Sequence, residues 1–261
     1  PEAASVVVIG GGVMGCSVLY HLAKMGVKDV VLLERKQLTC GTTWHSAAQV
    51  RQLRSSNNMT ELIKYSTELY AGLEAETGQS TGWIKTGSLV LATNEDRFTF
   101  IKRQASLAKL FNVETHIIDQ SEAAEMWPMM NADDVVGAIY SPDDGRVNPS
   151  DLCVALIKGA KANGARVFED SEVTGFDIEN GRVAAVRTEH GDIKCEKVVN
   201  CAGLWGRRIG EMAGVTVPLY ACEHFYLLTK AIKGMGAHLP TLADHDNYLY
   251  MRDEVGGLLA G

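Results

Sequence analysis

Short apolar runs punctuated by glycines dominate the start of the chain. Ser5 to Ile9 (SVVVI) is a brief β-branched run, which predicts a buried strand. Gly10-Gly11-Gly12-Val13-Met14-Gly15 follows, and Val13 to Met25 reads as a helix stopped by Gly26. Val30 to Leu33 (VVLL) predicts a second buried strand that ends in Glu34-Arg35. Together these make one βαβ unit of about the usual ~30 residues. Lys36 to Arg54 is small and polar, and reads as a loop. Met59 to Thr77 has apolar residues at helical spacing (Leu62, Leu69, Leu73), with Gly78 as its stop.

Further along, Gly87 to Thr93 predicts a strand, Glu95 to Phe111 an amphipathic helix, and Thr115 to Ile118 a strand. A short helix then ends at Trp127-Pro128. Asn148-Pro149-Ser150-Asp151 opens another helix: Asn148 suits the N-cap, Pro149 the first turn, and Asp151 the positive end of the dipole. That helix runs to about Asn163, and Arg166 to Phe168 is a short strand. Val173 to Val199 is a β-meander turned at Asn180-Gly181 and His190-Gly191. It leads into Lys197-Val198-Val199-Asn200-Cys201-Ala202-Gly203. The pattern predicts an α/β protein: a discontinuous Rossmann-like domain over 1–82 and 143–218. An interleaved α+β substrate domain takes 83–142 and 219–261. The last residues, Gly257 to Gly261, read as the middle of a strand, so the chain is expected to be a fragment of a longer protein.

Composition narrows the function. With 46% hydrophobic and 22% charged residues the chain is that of a soluble globular protein. A net charge of −7 and the lack of a Lys/Arg cluster exclude a phosphate-backbone partner. The six cysteines form no CxxC pair, which favours reduced, mostly buried thiols over disulfides or a metal knuckle. No apolar run reaches the length of a membrane span. The start lacks a basic region followed by an apolar one, so a cytoplasmic chain, or one processed for a mitochondrial matrix, is expected.

The glycine run carries the chemistry. Gly10 permits a tight turn, Gly12 lets a pyrophosphate approach the backbone at the helix N-terminus, and Gly15 lets helix and strand pack closely. Glu34, at the end of the second strand, is placed to accept hydrogen bonds from an adenosine ribose and to repel a 2′-phosphate. A long loop and helix, rather than more βα units, follow the second strand. Together with the meander and the late strand this favours FAD over NAD, and makes the domain over 1–82 and 143–218 a Rossmann-like FAD-binding domain of the glutathione-reductase/D-amino-acid-oxidase type. Ala202 and Gly203 have almost no side chain, which would let that strand end lie close to a cofactor.

Gly41-Thr42-Thr43-Trp44-His45-Ser46-Ala47-Ala48 resembles a motif of the sarcosine and dimethylglycine dehydrogenases. So do Leu73-Glu74-Ala75-Glu76-Thr77-Gly78, Thr81-Gly82-Trp83-Ile84 and Asn200-Cys201-Ala202-Gly203-Leu204-Trp205. The resemblance spans essentially the whole chain. It implies oxidative demethylation of an N-methyl amino acid, with FAD bound covalently through His45 at its 8α-methyl. It implies cofactor contacts at Glu34, Arg35, Thr42, Thr43, Trp44, Val173 and Trp205. His224, in Glu223-His224-Phe225-Tyr226, matches an active-site histidine of the family. Tyr250, in Tyr248-Leu249-Tyr250-Met251-Arg252, matches an active-site tyrosine. The roles implied are base or proton relay for His224 and substrate-positioning hydroxyl for Tyr250. A structural histidine and a core tyrosine are the competing readings. Tetrahydrofolate binding belongs to a carboxyl-terminal region outside this sequence. The electron acceptor, oxygen or an electron-transfer partner, is left open. Arg51, Arg54 and Arg252 are alternative cations for a substrate carboxylate. An oxygen-using glycine or D-amino-acid oxidase of the same fold is an alternative reading. So are a non-catalytic regulatory homologue and a plain NAD-binding module.

Overall fold

The SVVVI run lies in strand Ala3–Ile9, whose Val7 and Val8 are fully buried. In this computed structural model, which describes residues 1–261, the strand pairs in parallel with Val30–Leu33 on one side and Gly191–Asn200 on the other. The resulting six-stranded sheet runs Arg166–Phe168, Val30–Leu33, Ala3–Ile9, Gly191–Asn200, Arg182–Thr188, Val173–Glu179. The first four strands are parallel, and the meander adds the last two antiparallel. Parallel strands are covered on both faces, which is why VVLL reads as a continuous apolar run. Helices Val13–Lys24 and Pro149–Ala162 pack against one another. At their contact a Cβ on Gly159 would stand 2.7 Å from the buried Tyr20 ring. Asn148 caps the second helix, accepting from the Ser150 and Asp151 N–H groups.

A second sheet has seven strands, in the order Leu227–Leu228, Gly257–Ala260, Leu249–Glu254, Thr241–Asp244, Ser88–Ala92, Gly137–Ser141, His116–Ile118. It is antiparallel except where Thr241–Asp244 runs parallel to Ser88–Ala92. Helix Glu95–Leu110 starts at Asn94, whose side chain accepts from the Arg97 N–H. Helix Gln120–Met126 opens with a capping box between Asp119 and Glu122. Leu89, Ala138 and Leu242 form the centre of this core.

The chain divides into two units. One comprises Pro1–Ser46, Gly72–Thr81 and Asn148–Glu223; the other comprises Ala47–Ala71, Gly82–Val147 and His224–Gly261. The pattern of the sequence puts 1–82 with 143–218, whereas the fold groups 47–71 with the second unit. There Gln49–Val50 pairs with Gly145–Arg146. The loop predicted over 36–54 therefore contains a two-residue strand, and also a 3₁₀ turn at Thr43–His45. No helix is long and apolar enough to cross a membrane.

Candidate functional site

The glycine turn is built as the spacing demands. Gly10 has φ +111°, and a Cβ there would meet the Cys201 carbonyl group. A Cβ on Gly15 would collide with the Gly10 carbonyl oxygen. Gly12 is the N-cap of helix Val13–Lys24 and has no side chain with which to cap it. Thr43 supplies the missing acceptor: the Val13 N–H donates to its Oγ1 at 3.0 Å.

Glu34 is buried at the end of its strand. Both carboxylate oxygens accept backbone bonds, Oε2 from the Gly11 N–H at 2.7 Å and Oε1 from the Lys36 N–H at 2.9 Å. Arg35 lays its guanidinium 3.9 Å from the centre of the Trp205 ring, and a Cβ on Gly41 would touch that ring at 3.3 Å. Asn200 fixes the turn after the last parallel strand. Its Nδ2 donates to the Gly206 carbonyl at 2.8 Å, and its Oδ1 accepts from the Ala202 N–H at 3.2 Å.

These parts surround a cavity of about 360 Å³, lined by Gly10, Gly12, Glu34, Arg35, Thr42, Thr43, Val173, Ala202, Gly203 and Trp205. The volume lies within the range of small-molecule and cofactor pockets. Three of the residues expected at the cofactor do not line it. Gly15 works behind the turn, while Trp44 and His45 are exposed, their rings 3.8 Å apart. His45 ends the 3₁₀ turn Thr43–His45, and the next residue, Ser46, lines the cavity. Sequence reasoning missed Arg208 and Met212, which also line it. Their four-residue spacing on helix Gly206–Met212 puts them on one face, and that spacing was the available signal.

The residues present fit a dinucleotide. A Cβ at Gly12 would stand 2.9 Å from Thr43 Oγ1, and the turn opens a helix N-terminus, where backbone N–H groups favour a pyrophosphate. Glu34, expected to face a ribose, still has lone pairs to accept hydroxyl donors beside its two backbone bonds.

Within the second unit, His224 and Tyr250 come together. His224 Nε2 lies 3.0 Å from the Tyr250 hydroxyl, and the two rings are parallel within 6° at 5.9 Å. Tyr250 sits on strand Leu249–Glu254, and its backbone N–H and C=O both pair with Gly261. Burial, then the neighbouring Tyr226, holds the Tyr250 hydroxyl above the ordinary tyrosine range. Of the arginines expected as carboxylate receptors, Arg252 is buried and spent: it pairs with Glu254 and donates to the Ala47 carbonyl at 2.8 Å. Arg51 is half-buried and donates to Gln49 Oε1 at 2.6 Å, and Arg54 is exposed.

A strand–glycine turn–helix with an acid after the second strand, closed by a meander and a late parallel strand, is a dinucleotide-binding α/β fold. The profile of the FAD dependent oxidoreductase family matches residues 5–261, and the chain belongs to that family. It is 45% identical to mouse mitochondrial sarcosine dehydrogenase over its whole length, and spans 29% of that protein. It is also 40% identical to the mouse mitochondrial pyruvate dehydrogenase phosphatase regulatory subunit, of which it spans 30%. Among solved structures, L-proline dehydrogenase from P.horikoshii superposes with a TM-score of 0.89 at 31% identity, over 100% of this chain and 70% of that one.

Proposed function

We propose that this chain is the FAD-binding part of an enzyme that oxidatively demethylates an N-methyl amino acid such as sarcosine or dimethylglycine. The observation that carries the reading is the Thr42-Thr43-Trp44-His45 turn beside the dinucleotide cavity, in a chain related throughout to a sarcosine dehydrogenase. His45 is the residue we assign to covalent flavin attachment. The chemistry FAD supplies when bound is acceptance of a hydride from the N-methyl carbon.

The chain's own residues prepare the donor. A protonated amine has no lone pair to support hydride loss, so the ammonium proton must leave first. Tyr250 positions the amine and relays its proton to the His224 ring, which its hydroxyl already contacts. Burial raises that hydroxyl further above its ordinary range, so at neutral pH it keeps its proton and donates toward the His224 ring as it accepts from the amine. With Arg252 engaged elsewhere, Arg51 and Arg54 are left to receive a substrate carboxylate. Capture of the one-carbon unit on tetrahydrofolate and reoxidation by oxygen or an electron-transfer protein are assigned to no residue here. The mitochondrial relative supports a matrix setting, with the bacterial cytoplasm as the alternative.

A second reading, a regulatory homologue without turnover, is favoured by the relationship to the phosphatase regulatory subunit. Acid precipitation of the full-length protein separates the two. Flavin fluorescence that stays in the washed pellet of the wild type, and leaves with His45→Ala, supports the enzyme. Bleaching of the flavin by anaerobic sarcosine or dimethylglycine completes it. Flavin that is bound but never bleached by either amine would move the assignment to the regulatory reading.

A further inference from the structure

We propose that Thr43 is a positioning residue: its hydroxyl caps the dinucleotide helix from a distance and thereby sets the turn that carries His45. The inference rests on the reading of His45 as the attachment point and adds the device that holds it in place.

Helix Val13–Lys24 needs a cap that its own sequence cannot provide. The N-cap is usually Ser, Thr, Asp or Asn, because a side-chain oxygen satisfies an otherwise free N–H of the first turn. Here the N-cap is Gly12, and its side chain is absent. Any Cβ there would stand 2.9 Å from Thr43 Oγ1, so Gly12 and Thr43 are fitted to each other. Thr43 Oγ1 accepts from the Val13 N–H at 3.0 Å, across 30 residues of chain.

The same threonine begins the His45 turn. Its carbonyl accepts from the Ser46 N–H at 3.1 Å, closing the 3₁₀ turn Thr43–His45. Two further links tie the loop to the glycine turn. The Thr39 N–H donates to the Gly11 carbonyl at 3.0 Å, and Glu34 joins the Gly11 and Lys36 N–H groups. Those links lie at the start of the loop. Beyond Cys40, Thr43 bonds the helix that the glycine turn opens and also begins the exposed Trp44–His45 turn. Losing its hydroxyl frees the helix N–H and removes the tie between that helix and the histidine-bearing turn, leaving the turn's own backbone bond in place.

Thr43→Val, Thr43→Ser and Asn94→Ala are to be compared in the full-length protein. Asn94→Ala is the control, removing a side-chain cap of the same kind from helix Glu95–Leu110, which belongs to the other unit. Hydrogen exchange of the peptide covering 40–48 is followed, together with the time course of acid-stable flavin after flavin-free protein meets FAD. Thr43→Val is expected to exchange about fivefold faster over 40–48, and to form acid-stable flavin about fivefold more slowly, the factor a typical cap represents. Thr43→Ser restores both, and Asn94→Ala changes neither. The proposal is overturned if Thr43→Val behaves like Asn94→Ala in these two readouts. If the wild type binds FAD without an acid-stable bond, the His45 reading fails by itself, and exchange over 40–48 still decides the role of Thr43.

Discussion

At the scale of single residues, the glycines and Glu34 are legible because their spacing follows from backbone geometry: no Cβ fits, or a carboxylate must stand at one strand end. The partner of a side chain is harder to read, since it depends on which distant loop folds over it. Nothing local tells that Thr43 accepts from Val13, or that Asp144 takes the Ser88 hydroxyl at 2.6 Å and the Gln52 N–H at 2.9 Å. Asp144 is 2% exposed, and burial raises its carboxyl above the ordinary 3.8 despite those bonds and the charges of Arg51 and Arg54. A raised folded value means the native state binds the proton more tightly. Its contribution to stability is therefore fully present below 3.8 and is lost as pH rises through the raised value. Asn at 144 does not titrate. Urea unfolding of wild type and Asp144→Asn, from about pH 4 to about pH 7, should give a wild-type-minus-variant stability that declines with pH. A difference that climbs instead would mean that the hydrogen bonds and arginines outweigh burial.

Elements with strong local punctuation are read well from sequence. Pro149 after Asn148, Gly26 after the first helix and Asn180-Gly181 in the meander all mark real boundaries. Strands Gly137–Ser141 and Thr241–Asp244 are not legible, because they are short, buried on both sides and carry no alternation to betray them. Helix packing likewise lies beyond local pattern, and Gly159 shows the consequence. A mid-helix glycine normally costs about 1 kcal/mol relative to alanine. At Gly159, however, the added methyl would stand 2.7 and 2.9 Å from carbons of a Tyr20 ring that is fully buried. That ring cannot swing aside: its hydroxyl is held by Glu76 at 2.8 Å and by Lys24 at 2.6 Å. Overpacking of about 1–3 kcal/mol then exceeds the propensity gain. Gly72, in helix Asn57–Thr77, has nothing within 4 Å of its Cβ position. Denaturant midpoints should therefore move in opposite directions, down for Gly159→Ala and up for Gly72→Ala. A rise for both would mean that the Tyr20 contact yields at little cost.

For the molecule as a whole, the family follows from features spread along the entire chain, while the activity depends on a protein of which this chain spans 29% in the sarcosine dehydrogenase relative. The cavity, by contrast, is lined wholly by residues of the first unit, so the cofactor can be tested on this chain's own account. A ligand that binds only the folded state stabilises it by an amount that grows with its free concentration, about 1.4 kcal/mol per tenfold once well above Kd. A covalently held ligand adds no such dependence, because its effective concentration is fixed. The unfolding midpoint of His45→Ala should therefore climb steadily with added FAD, whereas that of flavin-loaded wild type should stay level. Hydrogen exchange locates the effect: in His45→Ala, FAD should protect peptides covering 6–16, 30–43 and 200–212, which border the cavity. A midpoint that climbs while those peptides gain no protection would place FAD somewhere other than the glycine turn. A wild-type midpoint that climbs as steeply as the variant's would remove the covalent bond from the mechanism and leave His45 as an exposed turn residue.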